Sequence, residues 1–195
     1  MSVALVLGNG VSRRGIPLDN LRQNGTIYGC NAIYREYTPD VLVATDRPIA
    51  TAIQNSGYAQ QNVFYTRRPL PDSGARDIPK PWFGFSSGPV ATALAAEAAH
   101  HRIYLLGFDM GPTASKQFNN IYADSEFYKR SDSPPTFVGN WVKQIQQICK
   151  AFGATRFVRV CGATTARIAE LDRIHNLDHM PFEQFLNRIN NVEDF

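Results

Sequence analysis

The sequence contains only three cysteines, Cys30, Cys149 and Cys161, and no two of them form a CxxC pair. An odd, dispersed set excludes a disulfide-stapled secreted scaffold and reads as buried thiols in a reducing compartment. No histidine–cysteine cluster has zinc-ligand spacing, so no metal site is assigned. Histidine itself is scarce: His100, His101, His175 and His179 are the whole supply. No run of basic residues marks a nucleic-acid face, and a net charge of +3 is too mild to argue for one. That charge does suit a small anionic ligand. No long hydrophobic run is present either. The most apolar helical stretch, around Pro89 to Ala99, falls short of the roughly 20 residues that span a bilayer. The N-terminus enters a strand pattern at once, without the features of a signal peptide. Cytoplasmic placement is therefore the expectation, and a homo-oligomer is compatible with the composition.

What is present begins with Val3-Ala4-Leu5-Val6-Leu7, five apolar residues in a row that read as a buried parallel strand. Gly8-Asn9-Gly10-Val11-Ser12 follows. Gly8 and Gly10 are free to take positive φ and to let a ligand approach bare backbone, and Asn9 offers a carbonyl and an amide. The full dinucleotide fingerprint, with its third glycine, is missing. Further strands are expected at 26–30, 40–45, 62–66, 102–107 and 156–161. A helix is expected from Pro48 to about Asn55, and residues 67–81, with four prolines, read as a surface loop. Trp82 to Phe85 suits a brief edge strand or a wall over a ligand.

Ser86-Ser87-Gly88-Pro89 opens the strongest helix, with Gly88 read as N-cap and Pro89 as the first helical residue. Its free backbone amides beside two hydroxyls form an anion site. Residues 110–138 lack periodicity and read as a lid. Trp141, Ile145, Ile148, Cys149 and Phe152 form one stripe of a helix. Helices are expected at 164–174 and, through Phe182, Phe185, Leu186 and Ile189, near the C-terminus. The alternation predicts a single α/β domain over 1–195, a Rossmann-like three-layer sandwich with a mostly parallel sheet. Two acids stand at strand carboxyl ends, Asp46 and Asp109. Arg13, Arg14, Arg67 and Arg68 are candidates to meet a phosphate or an anionic acceptor.

Four short elements now stand in order: Gly8-Asn9-Gly10-Val11-Ser12, Cys30-Asn31, Ser86-Ser87-Gly88, and Leu106-Gly107-Phe108-Asp109. Over about residues 3–110 this set resembles the bacterial CMP-sialic-acid-dependent sialyltransferases and their relatives, the 6-hydroxymethylpterin diphosphokinase and motility-accessory-factor proteins. The resemblance implies a nucleotide bound across the carboxyl edge of the sheet. Asn9 and Ser12 would lie near phosphate, and Asn31 near ribose or base. Ser86, Ser87 and Gly88 would supply hydroxyl and backbone contacts, with Gly107 and Phe108 bordering the nucleotide.

Two positions depart from the family pattern. Gly111 stands where the sialyltransferases carry a tyrosine directly after the GxD element, with Tyr122 and Tyr128 as candidate replacements. Gly139-Asn140 stands where a histidine base would follow a glycine, and an amide accepts no proton as a base. A catalytic base would then be Asp109 or Asp46. The expected function is a transferase using a CMP- or other pyrimidine-linked sugar nucleotide, with no cofactor required. The alternatives are a Mg²⁺-dependent diphosphokinase-like enzyme acting on a pterin-type alcohol through those two aspartates, or a non-catalytic nucleotide binder. The compact length fits a bacterial or phage-encoded protein acting in the cytoplasm, and no acceptor is specified.

Overall fold

In a computed structural model of the chain, residues 2–191 are described. Met1 and residues 192–195, included in the single-domain expectation, lie outside them. The elements run β1 (Val3–Leu7), α1 (Leu18–Leu21), β2 (Thr26–Cys30), β3 (Val41–Ala44), α2 (Arg47–Asn55), α3 (Tyr58–Gln61), β4 (Phe64–Thr66) and β5 (Arg76–Asp77). Then come α4 (Ser87–Glu97), β6 (Arg102–Leu106), α5 (Gly139–Ala151), β7 (Arg156–Cys161), α6 (Ala169–Asp172), β8 (Leu177–Pro181) and α7 (Phe182–Asn190). Short 3-10 turns cover Val11–Arg13, Asn31–Arg35 and Lys80–Trp82.

All eight strands join one sheet in the order β5-β4-β3-β2-β1-β6-β7-β8, and every pairing is parallel. The Rossmann-like three-layer expectation is met. Central strands are buried on both faces, which is why β1 and β6 read as unbroken apolar runs. Alternate residues of each strand supply two cores. Ala4, Val6, Ile103 and Leu105 face α4 and α5. Leu5, Leu7, Tyr104 and Leu106 face α2 and α7.

The small residues of α4 have a structural use: Val90, Ala91, Thr92, Ala93 and Ala95 are all fully buried, so the helix lies close against the sheet. The direction in which strands are added reverses at β1. Strands β2 to β5 build outward on one side, and the chain then returns to place β6 on the other. The connections that leave β1 and β6 therefore run to opposite faces of the sheet, α1 packing on one core and α5 on the other, which makes a topological switch point where open α/β sheets form their ligand crevice.

Several local expectations are corrected. Ser86, not Gly88, is the N-cap of α4, and the helix begins at Ser87. Residues 67–81 are not all loop. Arg76–Asp77 adds a strand beside β4, held by pairing rather than by any local preference. Trp82 to Phe85 forms no edge strand: Trp82 ends the 3-10 turn Lys80–Trp82, and a turn follows it. The helix expected over 164–174 shrinks to Ala169–Asp172. In the turn before it the Thr164 and Thr165 hydroxyls bond to Asp109, and Thr165 also accepts the Gly162 N–H. Such side-chain bonds compete with helical ones. His179 lies in β8 rather than in a loop. His100 is buried against Tyr28 rather than facing solvent.

Candidate functional site

A cleft of about 450 Å³ opens over the switch point. Gly8, Asn9, Gly10, Asn31, Asp46, Ser86, Ser87, Gly88, Gly107, Phe108 and Asp109 all line it. These come from five separate stretches of chain, and the parallel sheet brings them to one edge. Of the nucleotide-contact candidates and the two acids, Ser12 is set back from the cleft wall, as are the candidate arginines Arg13, Arg14 and Arg68.

The floor is a glycine seam. Gly8 N donates to Leu106 O at 2.7 Å, and Gly10 N to Gly107 O at 2.9 Å. Neither Gly8 nor Gly10 adopts positive φ; that conformation falls to Asn31 at 54° and Gly107 at 70°. Gly8 and Gly10 are required by close approach instead. A Cβ on Gly8 would stand 2.7 Å from Gly107 O, and one on Gly10 would stand 2.5 Å from the Asp109 carboxyl carbon.

Asp109 is 4% exposed and crowded with donors. It accepts the Ser12 N–H at 3.0 Å, the Asn119 amide at 3.0 Å and the Thr164 hydroxyl at 2.6 Å. The Ser12 hydroxyl donates to its other oxygen, with Thr165 at 3.4 Å. Beneath it, Arg159 of β7 is buried and held by three backbone carbonyls. It donates to Phe108 O at 2.8 Å, Asp109 O at 2.9 Å and Ala166 O at 2.9 Å. Burial lowers its pKa, with the nearby Asp109 opposing. Asp109 and Arg159 thus tie the first turn, the β6 end and the loop after β7 into one unit. Asp46 is the contrast. It is exposed, caps α2 without a side-chain bond, and its carboxylate has no hydrogen-bond or ion-pair partner among the described residues.

The opposite wall is the start of α4. Ser87 Oγ donates to Asn31 Oδ1 at 2.9 Å and accepts the Thr45 N–H at 3.0 Å, with the Thr45 hydroxyl also at 3.0 Å. The Ser87 hydroxyl is therefore spent on joining β2, β3 and α4. Ser86 accepts the Trp141 indole N–H at 3.0 Å, and its own N–H meets Gln144 Oε1 at 2.9 Å. What this end offers a ligand is the pair of first-turn amides of Ser87 and Gly88, left without intrahelical partners.

Asn9 is the one polar side chain of the floor left incomplete. Its Oδ1 is sealed from solvent and has no hydrogen-bond partner. Cys30, at the back, is buried, and desolvation pushes its thiol up to about 12, so it is an inert wall.

The 110–138 segment has no helix or strand, yet it is tethered. Ile121 N donates to Asn9 O at 2.8 Å, and Asn119 Oδ1 accepts the Val11 N–H at 2.8 Å. Tyr122 joins Arg13 at 3.0 Å and donates to Glu36. Tyr128 accepts the Ala32 N–H at 3.3 Å, and burial lifts its phenol to about 12. Neither tyrosine lines the cleft, so neither stands in for a leaving-group phenol. Gly111 packs against the loop after β7, where a Cβ would come 2.5 Å from that of Ala166.

Arg13 is buried on Gly8 O and the lid, so it is structural. Arg67 lines the cleft, pinned by the carbonyls of Phe83 and Phe85 at 2.8 and 2.7 Å. None of the four histidines lines the cleft, and Asn140 stands exposed at the start of α5. Thr45, Asn119, Asn120, Thr136 and Trp141 line it without having been singled out as site residues by the sequence, whereas Arg67 was a candidate for an anion. The Asn119-Asn120 pair inside the polar lid was the one local signal for them. Trp141 was read as part of a buried stripe.

Among the described residues no group of three or more histidine, cysteine, aspartate or glutamate side chains is arranged to hold a metal. No described helix is long and apolar enough to cross a membrane. No family model, no curated protein and no solved structure matches the chain.

Proposed function

We propose that the chain binds a pyrimidine nucleotide across the β1–β6 switch point and acts as a transferase on a sugar-nucleotide donor. The observation that carries this reading is Asn9. A buried carbonyl oxygen without a donor costs about 1–3 kcal/mol, and a base amino group is a donor that relieves it once the half-buried Asn9 side chain turns toward the cleft. The Ser87 and Gly88 amides, across the same cleft, suit the phosphate. The cleft volume fits a ligand of nucleotide size. The order of the four sequence elements supports the donor class.

Asp46 is the base in this reading. The acceptor hydroxyl gives its proton to the Asp46 carboxylate while its oxygen bonds to the anomeric carbon of the donor. The bond from that carbon to the phosphate oxygen breaks, and the nucleoside monophosphate leaves with the electron pair. Asp109 is a positioning residue, because its lone pairs are already engaged by Ser12, Asn119 and Thr164. The same engagement counts against a Mg²⁺-diphosphate reading, which needs both carboxylates free to face the ion.

Calorimetric titration with CMP tests the site. Asn9→Ala is expected to weaken binding by about 1–3 kcal/mol while leaving the unliganded melting temperature unchanged or higher. Equal CMP affinity in the two proteins, or no CMP binding by either, overturns the reading. Asp46→Asn is expected to cut turnover about 10²–10⁴-fold with little change in CMP affinity.

A further inference from the structure

A second cleft of about 290 Å³ continues from the first on the outer side of β3. The two share Thr45, Asp46 and Arg67, so Asp46 stands at the seam between them. The second cleft is walled by Arg47, Arg67 and Arg68, three guanidiniums against the single carboxylate of Asp46. None of the three arginines makes an ion pair among the described residues. Arg67 is held in place by two backbone carbonyls, which fix its position and leave its charge uncancelled.

The cleft is built rather than incidental. Gln54 of α2 is buried behind it. Its amide donates to Ala50 O at 3.1 Å and Arg68 O at 3.3 Å, and its carbonyl accepts the Leu70 N–H at 2.6 Å and the Ser73 hydroxyl at 2.9 Å. That residue locks the segment bearing Arg68 onto α2, which bears Arg47. Three arginines without carboxylate partners, lining one hollow, supply the charge and the donors that a phosphate needs.

We propose that the second cleft is an acceptor subsite that recognises a phosphate group on the acceptor, through Arg47 and Arg68. The word acceptor rests on the transferase reading above; the anion site itself rests on the arginines. A phosphate held there places the rest of a small acceptor along Thr45 and Asp46, toward the donor cleft. The excess of positive charge favours a dianionic phosphate over a monocarboxylate.

Calorimetric titration with inorganic phosphate, and separately with acetate, tests the site in the full chain. Saturable phosphate binding is expected, with acetate weaker. The Arg47→Gln/Arg68→Gln double variant is expected to lose about tenfold or more of the phosphate affinity, the scale of charge-assisted hydrogen bonds. Both side chains are exposed, and an unchanged thermal midpoint confirms that the variant is folded. Absence of saturable phosphate binding overturns the proposal. So does equal affinity in the double variant, which would put the phosphate in the nucleotide cleft. Acetate binding as tightly as phosphate overturns the phosphate assignment. Failure of the nucleotide reading alone looks different: CMP gives no heat, while phosphate still binds and still requires Arg47 and Arg68.

Discussion

Gly10 shows how little room the floor of the cleft has. Its α-hydrogen faces both Gly107 O and the Asp109 carboxyl, and a methyl group there would lie 2.6 and 2.5 Å from them. Gly10→Ala is expected to cost about 1–3 kcal/mol, the range of overpacked sites, read as a lower urea midpoint. Gly84→Ala is the control. No atom lies within 4 Å of its added Cβ, and no positive φ is required there, so the change should stay within about 0.5 kcal/mol.

A second residue-scale effect concerns pH. Burial, with His101 beside it, lowers the pKa of His100. The unfolded chain therefore binds more protons in the window between the lowered value and about 6.5. Stability that rests on the neutral ring is complete above that window and is lost as pH falls through it. His179 shares the direction, through desolvation and the charge of Arg159. The urea midpoint should fall between about pH 8 and pH 5, and fall less in His100→Gln.

At the scale of elements, the β6 end and the loop after β7 depend on one side chain. Arg159 satisfies three backbone carbonyls and is 2% exposed. Arg159→Leu keeps the volume roughly and strands those carbonyls, so a loss of at least about 2 kcal/mol is expected. The same variant should weaken CMP binding, because Phe108 and Asp109 would lose their anchor.

The lid makes a separate prediction. Its tethers run to Asn9, which lines the switch-point cleft, and to Val11 and Ala32. Hydrogen exchange at residues 119–121 should slow when CMP saturates the protein. Equal exchange with and without CMP would remove the lid role.

Element legibility followed burial. Strands β1, β3, β6 and β7 are apolar because both their faces are covered, so each announced itself. Strand β8 did not, since Asp178 and His179 are exposed at the sheet edge and only pairing with β7 makes it a strand.

For the whole molecule, ligand binding and stability are linked. A nucleotide at 100 times its dissociation constant adds about 2.7 kcal/mol, which in a chain of this size raises the melting temperature by about 5–10 °C. A panel of CMP, UMP, AMP and GMP, with and without Mg²⁺, should give CMP the largest shift, with UMP weaker because uracil lacks the exocyclic amino group, and show no metal requirement.

The sequence by itself determined the α/β class, the parallel sheet and the five stretches of the cleft. Those follow from local physics: apolar runs long enough to be buried on both faces, and glycine, asparagine and serine where strands end. Only the tertiary structure decided the roles inside that set. Asp46 and Asp109 look alike in the sequence, each an acid at a strand end. Folding surrounds Asp109 with donors from Ser12, Asn119 and Thr164, and leaves Asp46 open between two clefts. Those donors lie as far as 97 residues away along the chain. Local pattern carries no information about which of two similar carboxylates such distant partners will reach, because strand order sets that, and strand order is fixed by how the whole sheet buries its two faces.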